Sequence, residues 1–273
     1  MSNKNKILKE QLTGDNKLIV SFTSYPARIA TAHLTIKTIL KNSVKPDIIV
    51  LWLAEPQFPN GMDDLPKTLL DLVESETTFR IKFTDKDIRQ FKKLRPSRRE
   101  FPNDYIITID DDRYYPKNFI KRLVKQAVKN PRCVVTGRAR YVKIDKDGNL
   151  SPFNKFSTKL YCAPPRLCFM AIGNSGILYP PDSLHPDALD EDLYERIKPE
   201  SDDLWNWAMA VRHGTKIKIA APFRHPRIIR GTQASALCHG REKRVEGTKK
   251  KVKHTYVDKI VANFPEVLDI LGK

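Results

Sequence analysis

A chain of 273 residues with 40% hydrophobic and 9% aromatic residues carries enough apolar material for one α/β domain and is not the composition of a disordered protein. Its 49 Lys and Arg against 32 Asp and Glu give a formal net charge of +17, which implies polyanionic company: nucleic acid, an anionic membrane surface or phosphate-bearing substrates. The strongest apolar run, Ile48–Ala54, is far too short to span a bilayer, and Cys133, Cys162, Cys168 and Cys238 form no C-x-x-C pair, so neither a zinc site nor a disulfide framework has support.

In chain order, residues 1–16 carry lysines without an apolar stretch and read as a flexible basic arm with no export signal. Leu18–Thr23 is a β-branched apolar run, followed by the turn-like Ser24-Tyr25-Pro26 and a helical pattern at Leu34, Ile36, Ile39 and Leu40. A second strand is expected from Ile48 to Leu53, a helix from Met62 to Glu74 and an alternating strand from Phe79 to Phe83. Lys86–Arg99 is a very basic stretch, in which Lys92 and Lys93, taken singly, read as parts of a solvated face. The strand Asp104–Ile109 then runs directly into Asp110, Asp111 and Asp112. Pro116 stands where a helix starts, with Phe119, Leu123, Val124, Ala127 and Val128 on one face. Strands and helices alternating at this pitch predict an α/β fold with a mostly parallel sheet covered on both sides.

The second half is less regular. Cys133–Thr136 and Tyr141–Ile144 are expected as short strands, and Lys146–Asn149 as a turn. Phe169–Tyr179 is apolar with central glycines and is stopped by Pro180-Pro181; a helix at Leu204–Val211 and a strand at Lys216–Ala220 follow. Lysines and arginines crowd Gly240–Lys253, ahead of an amphipathic segment from Tyr256 to Leu271. The expected division is the arm at 1–16, a catalytic domain at 17–239 and a basic C-terminal segment with an amphipathic helix at 240–273.

The aspartate triplet is the most informative feature. Residues two apart on an extended chain share a side, so Asp110 and Asp112 are expected to converge while Asp111 faces away. Three adjacent carboxylates repel unless a cation or hydrogen-bond donors neutralise them. A hard divalent ion such as Mg²⁺ or Mn²⁺ takes oxygen ligands and leaves positions for water and substrate phosphates. In an open parallel sheet, ligands bind beyond the carboxyl ends of the strands. An arbitrary run of three aspartates is more often a solvated turn or helix cap; the place directly after a buried strand and before Arg113-Tyr114-Tyr115-Pro116 favours a site.

Several pieces in order carry a resemblance. They are Ser21-Phe22-Thr23-Ser24-Tyr25-Pro26-Ala27-Arg28, Lys92-Lys93-Leu94-Arg95-Pro96, Ile107-Thr108-Ile109-Asp110-Asp111-Asp112 with Tyr115-Pro116, and Gly173-Asn174-Ser175-Gly176 through Pro181. Ser201-Asp202-Asp203-Leu204-Trp205 and Gly231-Thr232-Gln233 complete the set. With these the chain resembles bacterial GT-A-fold glycosyltransferases of capsular and lipopolysaccharide synthesis, and is similar to the group that adds N-acetylglucosamine to heparosan-type capsule.

The resemblance implies a GT-A-like, Rossmann-type catalytic domain with a basic C-terminal helical extension, using a UDP-sugar donor with Mn²⁺ or Mg²⁺. Thr23, Ser24 and Arg28 would line the nucleotide pocket, and Asp85 would meet base or ribose, its alternative being a helix cap. Lys92 and Lys93 would reach the diphosphate. Asp110 and Asp111 would hold ribose and support the metal, with Asp112 the direct ligand. His239 stands where many enzymes of this fold complete the metal shell, although the group resembled here carries another residue at that place; His225 is a comparable candidate.

Sugar transfer also needs a base for the acceptor hydroxyl. Asp202 and Asp203 are the candidates, Asp202 slightly ahead, against the ordinary role of first-turn acids in complementing the helix dipole. Their presence favours inversion over retention. Trp205 and Trp207 are either core or an acceptor platform, and Gly173–Gly176 would let the backbone pass close to the donor sugar.

The competing readings are a nucleic-acid binder or metal-dependent nuclease, and a membrane-surface scaffold. No nucleic-acid-binding signature is present. The expectation is therefore a cytoplasmic enzyme, peripheral at the anionic inner membrane face, with a glycan or lipid-linked glycan as acceptor.

Overall fold

The structure, a computed structural model, describes residues 2–151, 155–159, 163–220, 224–235 and 255–272. The first half alternates helix and strand: α1 (Asn3–Thr13), β1 (Leu18–Thr23), α2 (Ile29–Leu40), β2 (Ile48–Ala54), α3 (Lys67–Ser75), β3 (Phe79–Thr84), α4 (Arg95–Glu100) and β4 (Tyr105–Thr108). Then follow β5 (Arg113–Tyr114), α5 (Phe119–Lys129), β6 (Val134–Thr136), β7 (Ala139–Tyr141), β8 (Ser157–Lys159), β9 (Phe169–Ala171) and β10 (Ile177–Tyr179). The described remainder holds α6 (Glu191–Ile197), α7 (Asp202–Arg212), β11 (Ile217–Ile219), β12 (Arg227–Ile228), α8 (Thr255–Asn263) and α9 (Glu266–Gly272).

Seven strands form the central sheet in the order β11-β6-β10-β4-β1-β2-β3. All neighbours are parallel except β10, which runs antiparallel to both β4 and β6. This is the expected α/β architecture with a mostly parallel sheet and helices on both faces. β2 is buried at every position, as a central parallel strand must be. The pleat sorts side chains by parity. Val20, Phe22, Leu51 and Ile107 join Ile36, Leu69 and Phe119 from α2, α3 and α5 in one core. Ile19, Val50, Trp52 and Ile106 join Trp205, Ala208 and Val267 from α7 and α9 in the other.

The chain leaves β1 toward β2 and β3, then returns to pair β4 on the opposite side of β1. The carboxyl ends of β1 and β4 therefore flank a topological switch point, where loops diverge and leave a crevice. Two smaller sheets stand beside it: the ribbon β12-β5 and the antiparallel β8-β7-β9.

Four expectations are corrected, and the form of Phe169–Tyr179 is defined. Residues 1–16 do not form an arm, because Leu8 and Leu12 make a short apolar stripe and α1 docks with Leu12 and Asn5 buried. The helix expected over 62–74 breaks at Pro66, which holds Leu65 extended and lets α3 start only at Lys67. The strand expected at Tyr141–Ile144 lies two residues earlier, as β7. Phe169–Tyr179 is two strands in two different sheets, joined by a 3-10 turn at Gly173–Ser175. There Gly176 has φ +73°, and a Cβ would sit 2.3 Å from the Phe119 ring, so glycine is required. The C-terminal amphipathic segment is two helices, separated at Phe264-Pro265 because Pro265 cannot continue α8. Among the described residues no helix is long and apolar enough to cross a membrane.

Candidate functional site

The triplet sits at the switch point. β4 ends at Thr108, so Asp110–Asp112 lie on turning rather than extended chain, and the two-residue periodicity expected for them fails. Asp111 and Asp112 converge, and Asp110 is the one that turns away. The Asp111 carboxylate accepts a hydrogen bond from Ser24 Oγ at 2.6 Å and pairs with Arg28 Nη2. The same Nη2 lies 2.9 Å from Asp112 Oδ2, which also accepts from Gln233 Nε2 at 2.9 Å. Arg28, Asp111 and Asp112 are all buried.

The backbone of the turn is held from several directions. Thr35 Oγ1 on α2 donates to the carbonyls of Asp111 (2.8 Å) and Arg113 (3.0 Å). The Asp110 N–H donates to Tyr115 Oη at 2.9 Å, and the Ile229 N–H to the Asp112 carbonyl at 2.9 Å.

Asp110 reaches Lys93 instead, at 3.3 Å. Lys93 is buried, ending a 3-10 turn over Arg89–Lys93, and its ammonium also lies 2.8 Å from Asp202 Oδ2 at the start of α7. Asp203 accepts from the Gly173 N–H at 3.1 and 3.2 Å. A Cβ on Gly173 would come within 2.8 Å of Lys93 Nζ, 3.0 Å of Asp203 Oδ1 and 3.9 Å of Asp110 Oδ1, so the 3-10 turn crosses directly over this cluster. One ammonium thus bridges the triplet and the start of α7, Asp110 and Asp202, which are far apart in the chain.

Protonation follows from this packing. Burial opposes the charge on Lys93, yet Asp202, Asp110 and Asp203 together hold it well above its ordinary value. Burial would lift Asp110, but Lys93 and then Arg113 keep it below the usual carboxylate range. Asp203 is pushed up to about 7 by burial and then by Asp202, against the pull of Lys93 and the Gly173 N–H. Burial also carries Asp111 to about 7, despite Arg28 and Ser24.

The other candidates fall as follows. Thr23 Oγ1 donates to the Trp52 carbonyl at 2.8 Å, at the end of β1 beside Ser24. Arg28 does not stand open to base or phosphate, because two carboxylates take its guanidinium. Asp85 is exposed on the bend after β3 and joins no cluster among the described residues; it is Asp87 that pairs with the buried Lys92. Lys92 and Lys93 thus depart from the solvated face expected of them. The carboxylates beside them explain it, since a partner acid offsets the desolvation of a buried ammonium. Trp205 and Trp207 are core: Trp205 packs edge-on against Phe264, and Trp207 Nε1 donates to the Leu167 carbonyl at 2.8 Å. Burial and the neighbouring Arg138 keep the His225 imidazole below its ordinary value. His239 lies outside the described residues.

Gln233, Thr35 and Tyr115 received no role from the sequence reading. Gln233 stands in a quoted motif, but nothing in a late Gly-Thr-Gln says that its amide meets a carboxylate 121 positions earlier.

Among the described residues no three His, Cys, Asp or Glu side chains converge as a metal cage. The donor chemistry is nonetheless that of a hard cation. Asp112 Oδ1 is buried and accepts no hydrogen bond, with Arg113 Nε 3.1 Å away but misaligned. A buried carboxylate oxygen left without a donor is the kind of ligand a hard divalent ion takes.

No family model matches the chain, and no curated protein matches it. Among solved structures it is similar to 4-diphosphocytidyl-2C-methyl-D-erythritol synthase from Anaerococcus prevotii, at 12% identity and a TM-score of 0.49, over 82% of this chain and 94% of that one. It is also similar to S. aureus TarS 1–349, at 12% identity and a TM-score of 0.47, over 78% of this chain and 60% of that one. Such distant likenesses leave the chemistry to be argued from the side chains.

Proposed function

We propose that the chain is a glycosyltransferase that moves a sugar from a nucleotide-diphosphate donor, a UDP-sugar by the resemblance, to a glycan acceptor of bacterial surface polysaccharide. The observation that carries this reading is the meeting, at the β1/β4 switch point, of the triplet with the two first-turn acids of α7 through Lys93. A solvated acidic turn would not enclose its carboxylates in this way.

In this reading Ser24 and Thr23 border the nucleotide, and Asp112 Oδ1 would be the chain's ligand to Mg²⁺ or Mn²⁺. Such an ion, when bound, neutralises the diphosphate leaving group. Asp203 is the general base. Its affinity for a proton near neutrality suits removal of one from an acceptor hydroxyl, whereas Asp202 is engaged by Lys93. A base on the face opposite the leaving group gives inversion. The Gly173 N–H orients the Asp203 carboxylate, and glycine keeps the backbone out of the space between base and ammonium.

The test is a screen of UDP-, GDP- and dTDP-sugars for hydrolysis and thermal stabilisation with Mg²⁺ or Mn²⁺, beside DNA and RNA. A UDP-sugar should be turned over and should raise Tm, and Asp112→Ala should abolish both with the fold intact. Stabilisation by nucleic acid alone, or unchanged turnover in Asp112→Ala, would overturn the proposal.

A further inference from the structure

The first turn of α1, the end of α2 and the entry to α5 border an open cavity of about 830 Å³, within the size range of small-molecule sites. None of the residues placed above toward nucleotide, metal or acceptor lines it. Among the described residues that do are three lysines, Lys41, Lys45 and Lys117, and no acid. Its frame is fixed by two buried asparagines. Asn42 Oδ1 accepts the Ile120 N–H at 3.0 Å, capping α5, and Asn42 Nδ2 donates to the Thr38 carbonyl at 3.0 Å. Asn5 Nδ2 donates to the Ser43 carbonyl at 3.0 Å, and the Ser43 N–H to the Lys117 carbonyl at 2.8 Å. These bonds tie α1 to the end of α2 and that end to α5, so the lysines stand on braced backbone. Lys45 Nζ donates to the Leu40 carbonyl at the α2 terminus.

Two features of the wall are unmet. Asn5 is 6% exposed, and its Oδ1 is buried without a hydrogen-bond partner. Ser2, which also lines the cavity, is the N-cap residue of the 11-residue α1 but makes no side-chain cap, so the first N–H groups of that helix lack one. The amide oxygen calls for a hydroxyl or N–H donor. The lysines and the positive end of the helix call for an anion. A cation satisfies neither, and an apolar ligand leaves both as they are. A phosphate carried on a polyol satisfies the two together.

We propose that this cavity binds a phosphate ester of a small polyol, the phosphate meeting Lys41, Lys117 and the start of α1 and a hydroxyl meeting Asn5 Oδ1. Such a group comes either as a free metabolite or as the headgroup of an anionic lipid. No bond is made or broken there, and the site stands whether or not the chain transfers a sugar.

Calorimetric titration of the full chain with sn-glycerol 3-phosphate, D-glucose 6-phosphate, inorganic phosphate and glycerol, at about 150 mM salt, tests the proposal. The better of the two esters should bind about tenfold tighter than inorganic phosphate, the worth of one added hydrogen bond, and glycerol should give no heat. Lys41→Gln/Lys117→Gln should weaken that ester by about tenfold or more, whereas Lys67→Gln/Lys143→Gln, an equal charge change outside the cavity, should leave it within about twofold. Asn5→Leu should bring the ester down to the level of inorganic phosphate; if that variant melts below the assay temperature, the lysine pair carries the test alone. Flotation with phosphatidylcholine vesicles, with and without phosphatidylglycerol, assigns the source. Flotation that needs phosphatidylglycerol and is lost in Lys41→Gln/Lys117→Gln supports the site as a headgroup site; binding of the soluble ester without flotation supports it as a metabolite site. Esters that bind no tighter than phosphate, an affinity that survives Lys41→Gln/Lys117→Gln, or an equal loss in the control pair would overturn it.

Discussion

Two charged poles share the aspartate triplet and are built on different plans. At the first, one guanidinium meets two carboxylates, Asp111 and Asp112, with Ser24 and Gln233 filling further acceptor positions. At the second, one ammonium meets Asp110 and Asp202 and stands beside Asp203. The planar fork of arginine fixes directions; the ammonium is a point charge that holds several acids without aligning them. The first pole is closed, its acid side chains 7% and 6% exposed. The second opens through Asp110, 29% exposed, and leaves Asp203 half-buried with a proton affinity near neutrality. The arginine pole closes over its acids, whereas the lysine pole leaves one acid with a proton affinity near neutrality.

The sharpest way to break this comparison is Asp203→Asn. It should lower kcat by about 10²–10⁴-fold, the range of general-base catalysis, with the melting curve retained. The wild-type rate should also fall about tenfold per pH unit below about 7, because Asp203 must be ionised to accept a proton, and the asparagine variant should lose that limb. An Asp203→Asn enzyme as fast as wild type would assign the base elsewhere.

Next in size is Lys93→Met, which strands three carboxylates and should cost about 3–5 kcal/mol in urea unfolding at pH 8. The sign with pH is definite. The folded-state value of Lys93 is raised, so its stabilisation is complete below 10.5 and is lost only as pH rises through that higher value. In the variant the orphaned acids titrate upward, so its deficit should shrink as pH falls toward 5; a deficit that grows in acid would contradict the arrangement.

Gly173→Ala places a methyl 2.8 Å from Lys93 Nζ and 3.0 Å from Asp203 Oδ1. A displacement well under 1 Å relieves it, and kcat should drop by about tenfold with little change in donor KM. The smallest effect belongs to Asp85→Ala, exposed and outside both poles, where activity should stay within about twofold of wild type. A large loss there would bring the bend after β3 into the site.

The sequence showed the frame of this site better than its wiring. β1, β2 and β4 were legible because central parallel strands are apolar on both faces, and α2 and α5 because one face of each is buried. The triplet's place followed from β4. Its internal geometry did not, since the strand rule was carried two residues past the end of the strand. The basic stretch misled for a related reason: the burial of Lys92, Lys93 and Arg95 depends on acids and carbonyls supplied from Asp87, the triplet, α7 and the loop near Leu189, none of which local composition reveals. The choice between Asp202 and Asp203 was open in the sequence because adjacent acids in a first turn look alike; in the structure Asp202 pairs with Lys93 and Asp203 accepts from the Gly173 N–H.

The contacts of Ile229 and Gln233 with Asp112 carry a temporal consequence. During synthesis the acidic turn emerges more than a hundred residues before the amide that caps it, so a ribosome-bound chain possesses the motif long before it possesses the finished site. A product ending at residue 223 would hold the segments of all seven strands of the main sheet yet lack the β12 segment that secures the turn. The turn therefore takes its final form only once Ile229 and Gln233 have joined the chain.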